Sequence, residues 1–224
     1  MTRRTNARIA GLAFLIYIAA AFTGMILENR AIHGEGTAAK LASLVQHASD
    51  LRAAVLLFMI GNFCALVLAV TLYAITRDQD PELALMVLVC RTAEGVVGGV
   101  SLSRTAGQLW LATAGGADAS EPGIRALLLQ SPSGSMEIGA TFFAVGSLCF
   151  SYLLLRGRMV PVPLAWLGVL ASILVVLCLP LQLAGLLRGP ITDFIWLPML
   201  AFEVPLGFWL IFKGVALPAR RGSA

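Results

Sequence analysis

Six apolar runs, near 9–27, 53–75, 83–110, 138–155, 162–187 and 191–212, dominate the chain. Each is close to the length of about 20 apolar residues that crosses a bilayer as a helix. Inside lipid a backbone has to satisfy its own hydrogen bonds, so runs of this kind form helices rather than open sheets. Six spans use roughly 130 residues at that length, and the remainder of the 224-residue chain is short connections and tails. The expectation is an all-α, polytopic transmembrane bundle of about six spans, folded as a single transmembrane domain over 1–224, with no soluble enzyme fold. Composition agrees: 58% of residues are apolar and 12% charged, and mean hydropathy is +0.87.

The formal charge of +4 does not point to nucleic acid, because the 16 basic residues, all but Arg91 and Arg104 of the third run, are scattered over connections and tails rather than gathered on one face. They read as topology signals. With the N-terminus inside, the inner side carries Arg3, Arg4, Arg8, Arg77, Arg156, Arg158, Lys213, Arg220 and Arg221, and the outer side Arg30, Lys40, Arg52, Arg125 and Arg188. Nine against five favours both termini in the cytoplasm. The outer connections are then about 28–52 and 115–136, and Leu41, Leu44 and Val45 give the first of them the periodicity of a short surface helix.

The first run is expected to be a retained helix. Ala19, Ala20 and Ala21 imitate a cleavage site, but the run exceeds a signal-peptide core of roughly 7–15 residues. A chain without an organellar targeting segment fits a bacterial inner membrane. Pro81 suits a first helical turn and Glu82 a helix N-terminus. The third run stays helix-compatible to about Ala114, so it tilts or projects beyond the lipid. Pro180 predicts a kink in the fifth run, and Pro198 and Pro205 lie inside the sixth.

An ionisable side chain inside a span costs several kcal/mol unless it faces protein or water. Arg91, Glu94 and Glu203 are the ones that matter. Counted at 1.5 Å per residue from Leu83 and Lys213, they lie roughly 12, 16 and 15 Å deep, and Asn62 in the second span falls near the same level. At about 100° per residue, Arg91, Glu94, Gly98, Ser101, Arg104, Thr105 and Gln108 share an arc of roughly 140°, so this stripe is expected to face the bundle interior. Arg91 and Glu94 are spaced to pair along one helix face. Two carboxylates against one central arginine leave a surplus negative charge, so another cation reaches in or one carboxyl carries a proton. The midplane group Arg91, Glu94, Glu203 and Asn62 is therefore either a polar clamp that sets helix packing or a site for a small ligand or proton. Arg104, Gln108 and Glu137 are secondary: Arg104 is read as snorkelling at the outer interface, and Glu137 as sitting in the first turn of the fourth span, where a carboxylate suits the helix dipole.

Other chemistry is sparse. No histidine falls in a span, which excludes a haem held between two transmembrane histidines. His33 and His47 lie in the first outer loop near Glu28, Glu35 and Asp50, where loop histidines are ordinarily solvated. Cys64, Cys90, Cys149 and Cys178 lie in apolar segments without metal or redox spacing and read as small buried hydrophobes. No metal site and no cofactor are expected; there is no phosphate loop and no nucleophile elbow. Gly95, Gly98 and Gly99 read as close helix packing. Glu94-x-x-x-Gly98 echoes Glu203-x-x-x-Gly207 in the corresponding span of the other half, the pattern an inverted repeat would leave.

Four stretches carry a resemblance: Arg8-Ile-Ala-Gly-Leu-Ala-Phe-Leu-Ile16, Cys90-Arg-Thr-Ala-Glu94, Gly134-Ser-Met-Glu-Ile-Gly139, and Glu203-Val-Pro-Leu-Gly-Phe-Trp-Leu-Ile-Phe-Lys-Gly214. The chain resembles, over nearly its whole length, the bacterial integral membrane proteins grouped as domain of unknown function 4386. The resemblance implies a multi-span helical membrane protein and brings no reaction or substrate with it. Three functional classes stay open: a small transporter-like unit with a midplane Arg/Glu site, an intramembrane enzyme acting on a lipid-soluble substrate with Glu203 as general acid and Arg91 stabilising negative charge, and a structural or accessory membrane subunit. The lipid bilayer is the one partner expected in all three.

Overall fold

A computed structural model of the chain describes residues 1–113, 133–187, 189 and 191–216. Most of the second outer connection, and Arg125, Arg188, Arg220 and Arg221 of the charge count, lie outside the described residues. Those residues form eight helices: α1 (Arg3–Ala31), α2 (Gly36–Gln46), α3 (Ala48–Thr76), α4 (Pro81–Thr113), α5 (Ser133–Arg156), α6 (Val162–Leu183), the single turn α7 (Ile191–Phe194) and α8 (Leu197–Phe212). No strand occurs among them. Five of these helices, α1, α3, α4, α5 and α6, are long and apolar enough to cross a membrane. At 33 residues, α4 spans about 50 Å, more than the hydrocarbon requires.

The expected sixth span is divided. Ile195 and Trp196 form a turn, and α8 begins at Leu197 with 16 residues. Pro198 accounts for the break: in a continuous helix its missing N–H would have donated to the carbonyl of Phe194, whereas in the first turn of α8 that N–H has no helical partner to lose. Pro205 stays inside α8. The fifth span ends at Leu183 rather than near 187. Gly185, at φ +72°, turns the chain in a left-handed cap; its N–H donates to the Gln182 carbonyl at 2.9 Å and that of Leu186 to Leu181 at 2.8 Å, the two bonds of a glycine-terminated helix. The surface helix expected around Leu41 and Leu44 is α2, whose Leu44 is buried with Ala31, Leu51 and Leu111, while Val45 points outward.

Each long helix packs on the next in sequence, α1 on α3, α3 on α4, α4 on α5, α5 on α6, α6 on α8, and α8 returns to α1, closing a ring. Arg3 pairs with Asp78 at 3.7 Å and Arg156 with Asp80 at 2.8 Å, and the Ala216 N–H donates to the Met159 carbonyl at 3.0 Å. The start of α1, the 77–80 and 157–161 turns and the segment after α8 therefore share one end of the ring, and α2 lies at the other. The interior is filled by Phe14, Phe150, Phe202, Leu72 and Leu206, whereas Phe63, Val100, Leu170 and Leu177 point out and are 60–65% exposed. Large apolar side chains over the whole outer surface mark a protein solvated by lipid, and the chain is a multi-pass helical membrane protein.

With lipid outside as apolar as the core, such a ring depends on close packing. At the α1–α8 contact, a Cβ on Gly11 would lie 2.5 Å from the Gly207 carbonyl oxygen. Backbone cannot yield as a side chain does, so Gly11→Ala is expected to destabilise the purified protein by about 1–3 kcal/mol, read as a lowered thermal unfolding midpoint in detergent. Gly99→Ala is the control, since nothing lies within 4 Å of its Cβ position. Of the three glycines read as packing positions on α4, Gly95 meets Leu66 and Gly98 meets Asn62, both on α3, and only Gly99 faces open space. Of the four cysteines, all free, Cys90 alone is buried and the others are partly exposed.

The terminal end also has a pH-sensitive joint. The Asp80 carboxylate accepts the Leu83 N–H at 3.2 Å and an Arg156 N–H at 2.8 Å, and these bonds, the backbone one first, hold its pKa below the ordinary carboxylate value. A depressed carboxylate stabilises the fold above its unfolded pKa, and that contribution disappears as pH falls through the folded value. Acid titration of thermal stability is therefore expected to show a loss in the lowest pH range that is reduced in Asp80→Asn.

Candidate functional site

At mid-height the ring closes around one guanidinium. Arg91 of α4 is fully buried, with Glu94 6% and Glu203 4% exposed. Arg91 Nη1 donates to Glu94 Oε2 at 3.0 Å, and Nη2 donates to Ser147 Oγ of α5 at 2.9 Å and to Glu203 Oε1 of α8 at 3.4 Å. The Tyr17 hydroxyl of α1 donates to the other Glu94 oxygen, Oε1, at 2.7 Å. The guanidinium carbon lies 4.5 Å from the ring centre of Phe143 and 5.5 Å from that of Phe14, within cation–π range. Four helices thus meet on one side chain. The Arg91 Nε is buried without a partner.

The two carboxylates are not equivalent. Glu94, one turn from Arg91 on the same helix, is held at both oxygens by charge-assisted or hydroxyl hydrogen bonds. Glu203, carried on α8 between Pro198 and Pro205, makes only the longer 3.4 Å contact. The cluster contains one formal positive charge and two potential negative ones, in a setting where an uncompensated charge is expensive.

The sequence-derived group of Arg91, Glu94 and Glu203 is therefore brought together, but Asn62 is not joined to it. Asn62 lies on α3 with its amide oxygen against Gly98 of α4. Counting residues along a helix gives height and not azimuth, and α3 turns this residue toward its neighbour rather than to the centre. Arg104 does not snorkel: its Nη2 donates to Glu28 Oε1 of α1 at 2.8 Å, and the Thr105 hydroxyl donates to the same oxygen at 3.0 Å. Gln108 is 1% exposed and its Oε1 is buried with no partner. Glu137 sits in the second turn of α5, not the first, because the helix already begins at Ser133.

Tyr17, Ser147 and Glu28 are site residues that sequence reasoning missed. Tyr17 could have been found, since it and Thr23 are the only polar side chains in the first apolar run. Ser147 could not be singled out from Thr141, Ser151 and Tyr152 in its own run. Among the described residues no group of three or more His, Cys, Asp or Glu side chains is arranged to hold a metal. His33 and His47 instead line an open concavity of about 830 Å³ with Arg30, Ser43 and Asp50 beside α2, and the His47 ring nitrogen Nδ1 lies 3.0 Å from the Ser43 carbonyl.

No curated protein and no solved structure matches the chain. The sequence pattern of one family, described as Domain of unknown function (DUF4386), matches residues 9–214, which include every member of the central cluster. The chain belongs to that family.

Proposed function

We propose that this protein is a small transporter-like membrane unit whose central cluster binds and releases a proton at Glu203. The observation that carries this reading is the imbalance around Arg91: one guanidinium is surrounded by two carboxylates, of which Glu94 is fixed by Arg91 and Tyr17 while Glu203 has a single long contact. A buried surplus of negative charge requires a compensating cation. Phe14, Phe143 and Ser147, all nearly or fully buried, lie against the guanidinium, and a proton is the cation that needs least space. The basic bias of the end bearing both termini supports placing that end in the cytoplasm.

Infrared difference spectroscopy of the reconstituted protein across a pH titration tests the reading. A protonated-carboxyl stretch is expected in the wild type and is lost in Glu203→Gln. A titrating carboxyl band that survives in Glu203→Gln and disappears in Glu94→Gln moves the site to the other carboxylate, and the absence of any such band overturns it. The closed packing of the cluster favours a second reading, a polar clamp that joins α1, α4, α5 and α8 without exchanging anything; that reading requires no titrating band at all.

A further inference from the structure

The interior of the ring contains a second polar level that the central cluster does not use. Tyr17 reaches Glu94, and eleven residues further along both helices Glu28 is reached by Thr105. Both pairs therefore join α1 to α4 with the same sequence offset of 77, which places the second level about 16 Å from the first toward the end carrying α2. The backbones of α1 and α4 are separated in the ring by α3, so these side chains cross the interior rather than join adjacent helices. At the second level, Glu28 Oε1 accepts from both Arg104 and Thr105, and Oε2 has no protein donor among the described residues. One turn beyond lies Gln108, whose buried carbonyl oxygen also has no donor.

We propose that Glu28, Arg104, Thr105 and Gln108 form a hydrated port, a site for a water molecule or hydronium through which the central cluster exchanges its proton with the side of the membrane facing α2. A buried amide oxygen without a donor is costly, and a water is retained where two or more polar partners surround it. Among the described residues, Gln108 Oε1 is a buried acceptor without a donor, and Glu28 Oε2 accepts from no protein group. The buried Gln108 oxygen requires a donor and the Glu28 oxygen accepts one, which selects water or hydronium over an anion. Arg104, anchored to Glu28 at 2.8 Å, offsets the charge of that carboxylate at the port. This inference rests on the proton-binding reading of Glu203, but its test does not.

In proteoliposomes of the wild-type protein, water-edited solid-state NMR is expected to transfer magnetisation from water to the Gln108 side-chain amide. The Val100 methyls, on the exposed surface of α4, should receive it from lipid instead. A Gln108 amide that receives no magnetisation from water overturns the port. Gln108→Leu gives a separate readout. A hydrated site loses its water contacts and the unfolding midpoint falls; a dry site is relieved of an orphaned amide and the midpoint rises, which overturns the port. In either case the Glu203 carboxyl band reports independently on the proton-binding reading.

Discussion

Arg91→Ala is expected to cost the folded bundle about 3–5 kcal/mol, the range for removing one partner of a buried ion pair. The substitution strands Glu94 and Glu203 in a site that is 4–6% exposed, takes the donor from Ser147, and removes the cation between Phe14 and Phe143. Thermal unfolding in detergent, followed together with monodispersity, is the measurement, and a midpoint indistinguishable from wild type would falsify the hub role. Arg91→Lys should recover only part of the loss. An ammonium keeps the charge but cannot present two nitrogens in a plane to Glu94 on one side and to Ser147 and Glu203 on the other. A fully apolar replacement, Arg91→Met with Glu94→Leu and Glu203→Leu, separates stability from function, because buried ion pairs exchanged for packed apolar groups are often neutral or stabilising. If the triple variant folds as well as the wild type, the cluster is not there to hold the ring together.

The convergence of Arg91, Glu94 and Glu203 was legible in the sequence for a simple reason. Lipid makes an unpaired charge so costly that three charges at one depth, on helices of known rise, have few partners besides one another. The same argument failed for Asn62, because an uncharged amide bears a smaller penalty and can lie against a glycine on the neighbouring helix. It also failed for Arg104, whose partner Glu28 falls by hydropathy at the start of the first outer connection. In the structure α1 continues to Ala31, so Glu28 lies inside a helix with its side chain 11% exposed. Five of the apolar runs form helices long and apolar enough to cross a membrane, whereas the division of the sixth depends on where Pro198 falls within its turn: Pro205, seven residues later, interrupts nothing. The ring closure between α1 and α8 rests on Gly11, which carries no signal of its own among the glycines of an apolar chain, and on Gly207, which the sequence marks only through its echo of Gly98.

The asymmetry of the two carboxylates leads to the second large effect. Glu94→Leu is expected to destabilise by about 3–5 kcal/mol, because it removes the 3.0 Å bond to Arg91 and leaves the buried Tyr17 hydroxyl without its acceptor. Glu203→Leu removes one 3.4 Å contact, leaves Arg91 matched to a single carboxylate, and is expected to change stability by less than about 1 kcal/mol. A double-mutant cycle assigns the difference to a named bond. Tyr17→Phe combined with Glu94→Leu should show a coupling of about 0.5–3 kcal/mol, as for residues in direct contact, whereas Tyr17→Phe with Glu203→Leu should be additive. Equal losses for the two leucine variants would mean that Glu203 is as structural as Glu94, and the clamp would then account for the whole cluster. If Glu203→Leu folds normally, Glu203 occupies a buried, charged position without contributing to the stability of the ring. A carboxylate kept in the protein interior at that cost, with no structural return, is best explained by the proton it exchanges.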